Sequence, residues 1–460
     1  MAEIRSLAGW GRTAPTAAQT IDVRDATQVI GAIEALRDAD SHTRGLLARG
    51  LGRSYGDAAQ NAGGAVLDMT TLNQVRSFDL KRGLIRVDAG VSLEALINMV
   101  LPFGYFVPVT PGTRFVTVGG AIAADIHGKN HHLDGTFSQH VTSMALATPT
   151  GMLEITPKAD APLFRATAGG LGLTGVVTEA TIRLLSVATS KIAVDTERCA
   201  NLDELMDRMT TGDDAYRYSV AWIDCVASGA SLGRSVLTRG DHAPLDALSA
   251  ADQRDPHAYH ASQRLSAPPW VPNGLLNRFS VRAFNELWYR KAPKHEVGKL
   301  ESIPAFFHPL DGVAHWNRLY GSRGFLQYQY AVPDAAHDAV RESLERLVKA
   351  QCASFLAVLK RFGPSNGGPL SFPTPGWTLA LDIPIGDPEL GKLLDGLDEL
   401  VAEVGGRIYL AKDSRLRPEL LNTMYPDLDA FESIADSVDP NRILQSDLAR
   451  RLGLRRWRKQ

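Results

Sequence analysis

Cysteine is scarce in this chain, and the three present, Cys199, Cys225 and Cys352, are odd in number and far apart. They supply neither a disulfide framework nor a metal-binding spacing. A reducing compartment is the simple inference, although a cysteine-poor exported protein has the same composition. No stretch approaches the roughly 20 consecutive apolar residues of a membrane-spanning helix. Met1-Ala2-Glu3-Ile4-Arg5 has no apolar segment behind it, so no Sec signal is expected. Neither sign of charge dominates: 49 Lys and Arg face 51 Asp and Glu, a net charge of −2. That balance argues against a general nucleic-acid binder, and no nucleic-acid partner is expected. Internal repeats and low-complexity tracts are missing. So are two common phosphate signatures: no G-x-G-x-x-G opens a helix, and no Gly-Lys-Ser/Thr follows a glycine loop. With 460 residues the chain has room for two domains with substantial cores.

What it does have is glycine in two concentrated runs. An apolar segment feeds into Arg49-Gly50-Leu51-Gly52-Arg53-Ser54-Tyr55-Gly56-Asp57. A second run reads Thr110-Pro111-Gly112-Thr113 and then Thr117-Val118-Gly119-Gly120. Glycine admits φ > 0 and lets a ligand approach the main chain. Two such loops predict successive N–H groups forming an anion cradle, with a pyrophosphate as guest. Either loop alone reads equally well as a tight turn.

The first loop resembles the flavin pyrophosphate loop of the vanillyl-alcohol-oxidase type of FAD enzymes. Gly112 to Gly120, Ala124-Asp125-Ile126-His127-Gly128-Lys129-Asn130 and Gly172-Leu173-Thr174-Gly175-Val176-Val177-Thr178 are similar to further segments of that family. Within it, Gly9–Pro15, Phe325–Gln329, Leu359–Gly363 and Ala411–Arg415 resemble the decaprenylphosphoryl-ribose 2-oxidase subfamily, which serves arabinan precursor synthesis in actinobacterial cell walls. The resemblance runs from about Gly9 to Leu452. It implies an α+β, two-domain flavoprotein: an FAD-binding domain, and a substrate domain built on an antiparallel sheet with helices. The expected boundaries are 6–190 for the FAD-binding domain, 191–405 for the substrate domain and 406–460 for the return to the FAD-binding domain. It also implies oxidation of the 2-hydroxyl of a polyprenyl-phosphate-linked ribose, with a short-chain-dehydrogenase-type keto-reductase completing epimerisation. Two rivals stand beside that reading: a related oxidase of soluble sugars or alditols, and a noncatalytic flavin-binding scaffold.

The periodicity gives the elements. Val29, Ile30, Ile33 and Leu36 recur at helical spacing, with Asp25 as N-cap. Leu84 to Val87 reads as a strand, and Ser92 caps a helix carrying Leu93, Leu96, Ile97 and Val100. Later strands are expected at Tyr216–Asp224, Phe325–Val332, Ser354–Phe362 and Gly376–Ile383. Amphipathic helices are expected at Ala335–Ala350 and Pro388–Val404. Residues 240–300 are proline-rich with little periodicity. That segment is either a surface excursion or a flexible lid facing a lipid substrate or membrane.

Side chains alternate across a strand. Gln327 and Gln329 therefore share one face, and Thr378, Ala380 and Asp382 share another. Lys360 ends an otherwise apolar strand and should meet an anion or a cavity. The resemblance places Gln327, Gln329, Lys360, Phe307, Thr378, Ala380 and Trp222 around the substrate. Relatives carry a tyrosine where Phe307 stands, and some carry a cysteine where Ala380 stands. His127 and Lys129 are implied beside the flavin ring, and Lys412, read as following an apolar strand that ends at Ala411, at the active-site edge. Lys412, Tyr55, His127 and Lys129 are the expected catalytic residues. On sequence alone Lys412 reads equally as a strand-end lysine paired with Asp413. FAD would be held by residues 49–57 (Arg49, Gly50, Leu51, Gly52, Arg53, Ser54, Tyr55, Gly56, Asp57), by Gly112, Thr117, Val118, Gly119 and Gly120, and by Ala124, Asp125, Ile126, His127, Val177 and Tyr409. Arg53-Ser54 stands where many relatives carry a tethering histidine, so the FAD is expected to be noncovalent. The histidines of His127–His132 have no acidic or cysteine partners at metal spacing, and no metal is expected. The basic run from Arg450 to Lys459, with Leu454 and Trp457, and the segment 264–294 are read as attracting an anionic membrane surface. Peripheral placement at the plasma membrane, on its periplasmic side, follows as the expectation.

Overall fold

In the computed structural model, residues 2–37, 44–263, 265–352 and 354–455 are described. Three main sheets build the molecule. The first has four strands in the order Ala2–Leu7, Thr16–Asp22, Ala65–Asp68 and Leu46–Arg49, and its last two pairings are parallel. The second is a five-stranded antiparallel sheet ordered Val75–Asp79, Leu84–Asp88, Val176–Arg183, Val141–Thr148 and Gly151–Ile155. The third is an eight-stranded antiparallel sheet. Its order is His295–Ser302, Lys191–Cys199, Ser235–His242, Tyr218–Ile223, Ala357–Phe362, Gly376–Pro384, Phe325–Pro333 and Arg407–Ile408.

Local sequence explains the elements that carry these sheets. The Leu93–Val100 helix starts where the Ser92 hydroxyl accepts from Ala95 N, and it buries Leu93, Leu96, Ile97 and Val100. The Ala26–Arg37 helix begins at Asp25, whose carboxylate accepts from Gln28 N. Behind the eight-stranded sheet, the Asp338–Lys349 and Leu390–Glu403 helices pack their Leu344, Leu347, Leu394 and Leu397 onto Leu359, Leu379, Leu381 and Tyr330. One face of that sheet is thus a closed core. An antiparallel sheet of this kind leaves the other face free to carry polar residues.

The segment 240–300 departs from expectation. It contains a fourteen-residue helix, Arg278–Lys291, and the edge strand His295–Ser302. Asn277 caps the helix, its side chain accepting from Phe279 N and Ser280 N, and Ser280 reciprocates. The helix is fastened through polar bonds: Asn285 Nδ2 donates to Asp224 at 2.7 Å, and Glu286 pairs with Arg234. Only Val281 and Asn285 are buried, so the apolar residues do not mark the inner face and the helical period is hidden.

The C-terminal basic run is also corrected over its described part. Arg451 is paired with Asp57 and Asp413, and Arg450 with Asp447. Arg455 is fully buried against Asp436 and Asp439, and Leu454 is a core residue. These groups serve the fold and are not available to a membrane. The rest of that run, with Trp457, and Arg264 lie outside the described residues.

Candidate active site

The first glycine loop leaves the end of the Leu46–Arg49 strand. The N–H groups of Leu51, Gly52, Arg53 and Ser54 meet no acceptor among the described residues. From behind, the carbonyls of Ser54 and Tyr55 accept from Trp10 N and Gly11 N at 2.8 and 3.1 Å. The loop is therefore held while its donors stay free, an arrangement suited to phosphate oxygens. A Cβ on Gly50 would strike the Thr117 hydroxyl, so the two glycine loops lie in contact. Thr117 caps the Val118–Ala123 helix, its hydroxyl accepting from Gly120 N at 3.2 Å, while Val118 N and Gly119 N bond the carbonyls of Val91 and Ala89. Open space lies where a Cβ of Gly112 would project.

Three polar side chains expected at the cofactor turn into the scaffold instead. Arg49 donates to the carbonyls of Ala59 and Ala8 at 2.6 and 2.7 Å. Asp57 is taken by Arg451, which also holds Asp413. Asp125 accepts from Ser138 N and the Asn366 amide, and burial pushes its carboxyl up to about 6. Val177 and Ile126 are core residues, and Ala124 O accepts the Tyr409 hydroxyl at 2.7 Å.

The register of the large sheet assembles the opposite wall. Trp222 lies opposite Val358, Val358 opposite Ala380, and Ala380 opposite Gln329. Lys360 faces Thr378, and Gln327 faces Asp382. Directly paired residues project to the same side, so Trp222, Lys360, Thr378, Ala380, Asp382, Gln327 and Gln329 share the face away from the helices. Phe307 comes from outside the sheet and packs at the Tyr218 end of the same face, Tyr218 being in phase with Trp222. Its ring is buried against Phe106 and Tyr218, with Lys129 Nζ 5.9 Å from its centroid.

The hydrogen bonds decide proton positions. Gln329 Nε2 donates to Thr378 Oγ1 at 3.2 Å and to His127 Nε2 at 3.0 Å, and Thr378 in turn donates to Tyr330 O. That network assigns His127 Nε2 as the acceptor and puts the proton on Nδ1. Nδ1 is buried and has no partner among the described residues. Burial, then Lys360, His131 and Lys412, hold the ring well below its ordinary pKa, so it stays neutral. Burial also raises the Tyr55 phenol well above its usual value. That shift keeps the phenol protonated in this environment.

Three lysines surround this space, and none forms an ion pair among the described residues. Burial lowers Lys360 to about 8 and Lys129 to about 7. Lys129 Nζ is occupied by the Phe306 carbonyl at 2.5 Å. Lys412 is not on a strand: pairing stops at Ile408, and Tyr409–Lys412 is a turn closed by Lys412 N to Tyr409 O at 2.9 Å. Nor does it pair with Asp413, which Arg451 holds. The turn sends Nζ over the Tyr55 ring, 3.9 Å from its centroid. Burial lowers the Lys412 ammonium, Asp382 opposes that shift, and burial in turn raises the Asp382 carboxyl. Asp382 accepts from the Gln327 amide, and the Tyr320 hydroxyl points at it from 3.5 Å. Asp382 was not among the expected site residues. Its signal was an acid inside an apolar strand, in phase with Thr378 and Ala380.

His131 Nδ1 accepts from Gly363 N, and His132 lies against the Tyr216 carbonyl. Among the described residues no three His, Cys, Asp or Glu gather as a metal site.

Comparison with known proteins gives the following. A family model described as an FAD-binding domain matches residues 21–156. One described as D-arabinono-1,4-lactone oxidase matches residues 324–452. The chain is 46% identical over 453 residues to a decaprenylphosphoryl-β-D-ribose oxidase of Mycolicibacterium smegmatis, covering 98% of both chains. It is 43% identical over 373 residues to an uncharacterised protein of Streptomyces coelicolor, covering 79% of this chain and all of that one. It is 22% identical over 412 residues to an L-gulono-1,4-lactone dehydrogenase of Mycobacterium tuberculosis.

Proposed function

The chain belongs to the decaprenylphosphoryl-β-D-ribose oxidase family of FAD-dependent oxidoreductases, and from that premise we propose how its residues carry the reaction. The protein oxidises the 2-hydroxyl of a polyprenylphosphoryl β-D-ribofuranose to a ketone. The free N–H groups of residues 51–54, lying against the second glycine loop, fit the pyrophosphate of FAD. No histidine stands in residues 49–57 to tether it. Bound there, FAD supplies a two-electron acceptor for the hydride leaving the sugar carbon.

The protein's own part is to orient the sugar and manage its hydroxyl proton. One observation carries this reading: Lys412, a half-buried lysine with no ion pair among the described residues, held over Tyr55 beside the buried Asp382. Burial leaves part of the Lys412 population as neutral amine near neutral pH, able to take the hydroxyl proton as hydride leaves. Asp382 stands close enough to act on it: in its carboxylate form it favours the ammonium that Lys412 becomes on taking that proton. His127 presents its Nδ1–H, and Gln329, Thr378 and Gln327 hold that geometry. The FAD-binding unit is assigned to 6–190 with 406–460, and the substrate unit to 191–405. The strands of the two smaller sheets, all before residue 184, support that division.

The ketone requires a separate hydride donor to return it as the arabino epimer, which assigns a keto-reductase as partner in making the arabinan precursor for the cell wall. A lipid-linked substrate also requires access to a bilayer. Leu265, Trp270, Phe279 and Leu287 are 68–78% exposed, and Arg278, Arg282, Arg290, Lys291 and Lys294 stand exposed among them. That surface supports peripheral docking on anionic lipid. The lactone-oxidase match over 324–452 favours a second reading, a soluble sugar or lactone substrate. Anaerobic mixing with decaprenylphosphoryl ribose separates the two. Loss of flavin absorbance within the mixing experiment supports the lipid-linked sugar. Bleaching by a free sugar lactone but not by the lipid-linked ribose overturns it.

A further inference from the structure

Arg53 is the one charged residue among those expected at the cofactor whose side chain makes no hydrogen bond or ion pair among the described residues. Its guanidinium is stacked 3.8 Å from the Trp10 ring centroid and 5.3 Å from that of Phe115. Its Nε is buried without a partner. Aromatic stacking covers the faces of a guanidinium and leaves its edge of donors free. That edge borders a cavity of about 80 Å³ lined by Trp10, Arg53, Phe115, Asp311, His315 and Trp316, among others. A buried cation with unused donors is costly unless an anion completes it.

Asp311, also in the lining, is not that anion. Its carboxylate is engaged by the Thr113 hydroxyl, Arg114 N and Arg114 Nη1, and Arg114 in turn pairs with Glu94. Asp311 attracts Arg53 electrostatically but forms no hydrogen bond or ion pair with it, so the Arg53 donors remain unused. The cavity also lies one aromatic layer from the reacting groups. Trp316 contacts Phe325 at 5.7 Å, Phe325 contacts Tyr55 at 5.5 Å, and the Tyr55 ring carries Lys412. Its outer wall, Val313–Ala314, pairs with Leu265–Ser266 at the start of the exposed apolar segment.

We infer that the cavity beside Arg53 binds the phosphodiester of the lipid-linked sugar, with the guanidinium edge as its donor. This rests on the reading above that the substrate is a polyprenylphosphoryl sugar. The chemistry fits the position. The phosphate is bonded to the carbon next to the one oxidised, so its site must lie within one sugar ring of the reacting hydroxyl, and its lipid chain must leave toward the apolar surface. An arginine edge gives paired hydrogen bonds to phosphate oxygens. Arg53 thus serves two phosphates: its N–H belongs to the loop donors for the cofactor, and its side chain turns to the substrate.

The test uses the FAD-loaded protein and farnesylphosphoryl-β-D-ribofuranose under anaerobic stopped flow. In Arg53→Gln the substrate concentration for half-maximal flavin reduction should rise about 10- to 100-fold, the range of a charged hydrogen-bonded pair. The rise should exceed any accompanying change in the limiting rate or in the FAD dissociation constant, both read in the same variant. Ala314→Asp, which keeps Arg53 and adds a carboxylate to the wall, should weaken the substrate likewise and guards against a folding defect in the first variant. An unchanged half-maximal concentration overturns the proposal. So does a rise in the FAD dissociation constant in its place, which would give the cavity to the cofactor's pyrophosphate. If the parent enzyme does not reduce its flavin with this sugar, the functional reading fails by itself. Calorimetric titration with methyl farnesyl phosphate then decides the cavity: binding lost in Arg53→Gln supports it, and no binding or equal binding rejects it.

Discussion

At the scale of single residues, the site turns on buried nitrogen bases with unequal freedom. His127 engages Nε2 with Gln329, and Lys129 donates one of its three N–H groups to the Phe306 carbonyl. Lys412 alone stands beside a buried acid with a lowered pKa and no fixed acceptor. Replacing Lys412 by Met should retain FAD and slow flavin reduction about 10²–10⁴-fold, the usual worth of acid–base assistance. Reduction at the parental rate would make the lysine structural. The pH profile carries the sign. A lowered lysine pKa means that neutral amine accumulates as pH rises through neutrality, so the rate should rise there and then level off. Lys412→Arg, which cannot lose its proton, should be slow and flat across the same range. Ala380 gives a contrasting prediction. It is small, buried and opposite Gln329. Ala380→Cys should leave sugar oxidation within about three-fold, since side chains of similar size cost little in a core, while adding sensitivity to thiol-directed electrophiles. Equal inactivation of parent and variant by such a reagent would count against a reachable position.

At the scale of elements, two helices carry separate predictions. The Asp447–Leu452 helix places Arg451 between Asp57 of the first glycine loop and Asp413 beside Lys412. Arg451→Met removes the cation and leaves two carboxylates facing each other. Breaking such a buried pair costs on the order of 3 kcal/mol, and chemical denaturation of the FAD-loaded protein should show the loss. A midpoint equal to the parent's would mean that water replaces the arginine without penalty. The Arg278–Lys291 helix makes a different prediction. Each basic residue near an anionic surface is worth roughly 1 kcal/mol, and Phe279 and Leu287 add inserted apolar area. Flotation with anionic vesicles should recover the protein, and Phe279→Ser with Leu287→Ser should abolish recovery. Equal recovery on neutral vesicles would argue for unspecific adhesion. This helix was illegible from the sequence because Asn285, a polar residue, is its most buried side chain, while its phenylalanines and tryptophan face out.

At the scale of the whole molecule, the proposed FAD site lies between two glycine loops that meet in the fold, and no histidine stands in the first of them to form a tether. Purified protein should be yellow and should release all its FAD on denaturation. Flavin remaining on the unfolded chain would refute the noncovalent site. Ligand that binds only the folded form stabilises it by mass action, about 2.7 kcal/mol at one hundred times the dissociation constant. Removing FAD should therefore lower the melting temperature, and restoring it should reverse the loss.

The sequence by itself pointed to an anion cradle, and by its resemblance to FAD enzymes to the cofactor and the two-domain α+β architecture; it also determined the alternation that puts Gln327 with Gln329, and Thr378 with Ala380, on shared faces, because glycine loops and a two-residue period are local properties of the chain. It also contained Asp382, in phase with those residues, although nothing local marked it as the partner of a lysine thirty positions later. Only the tertiary structure decided which charges are answered. Arg451 takes Asp413 away from Lys412, Lys129 donates to the Phe306 carbonyl, Phe307 packs against Tyr218, and Arg53 is left over Trp10 without a hydrogen bond. Each of these depends on contacts between segments tens to hundreds of residues apart. Burial, which sets the proton affinity of every group in the site, exists only once those segments have met.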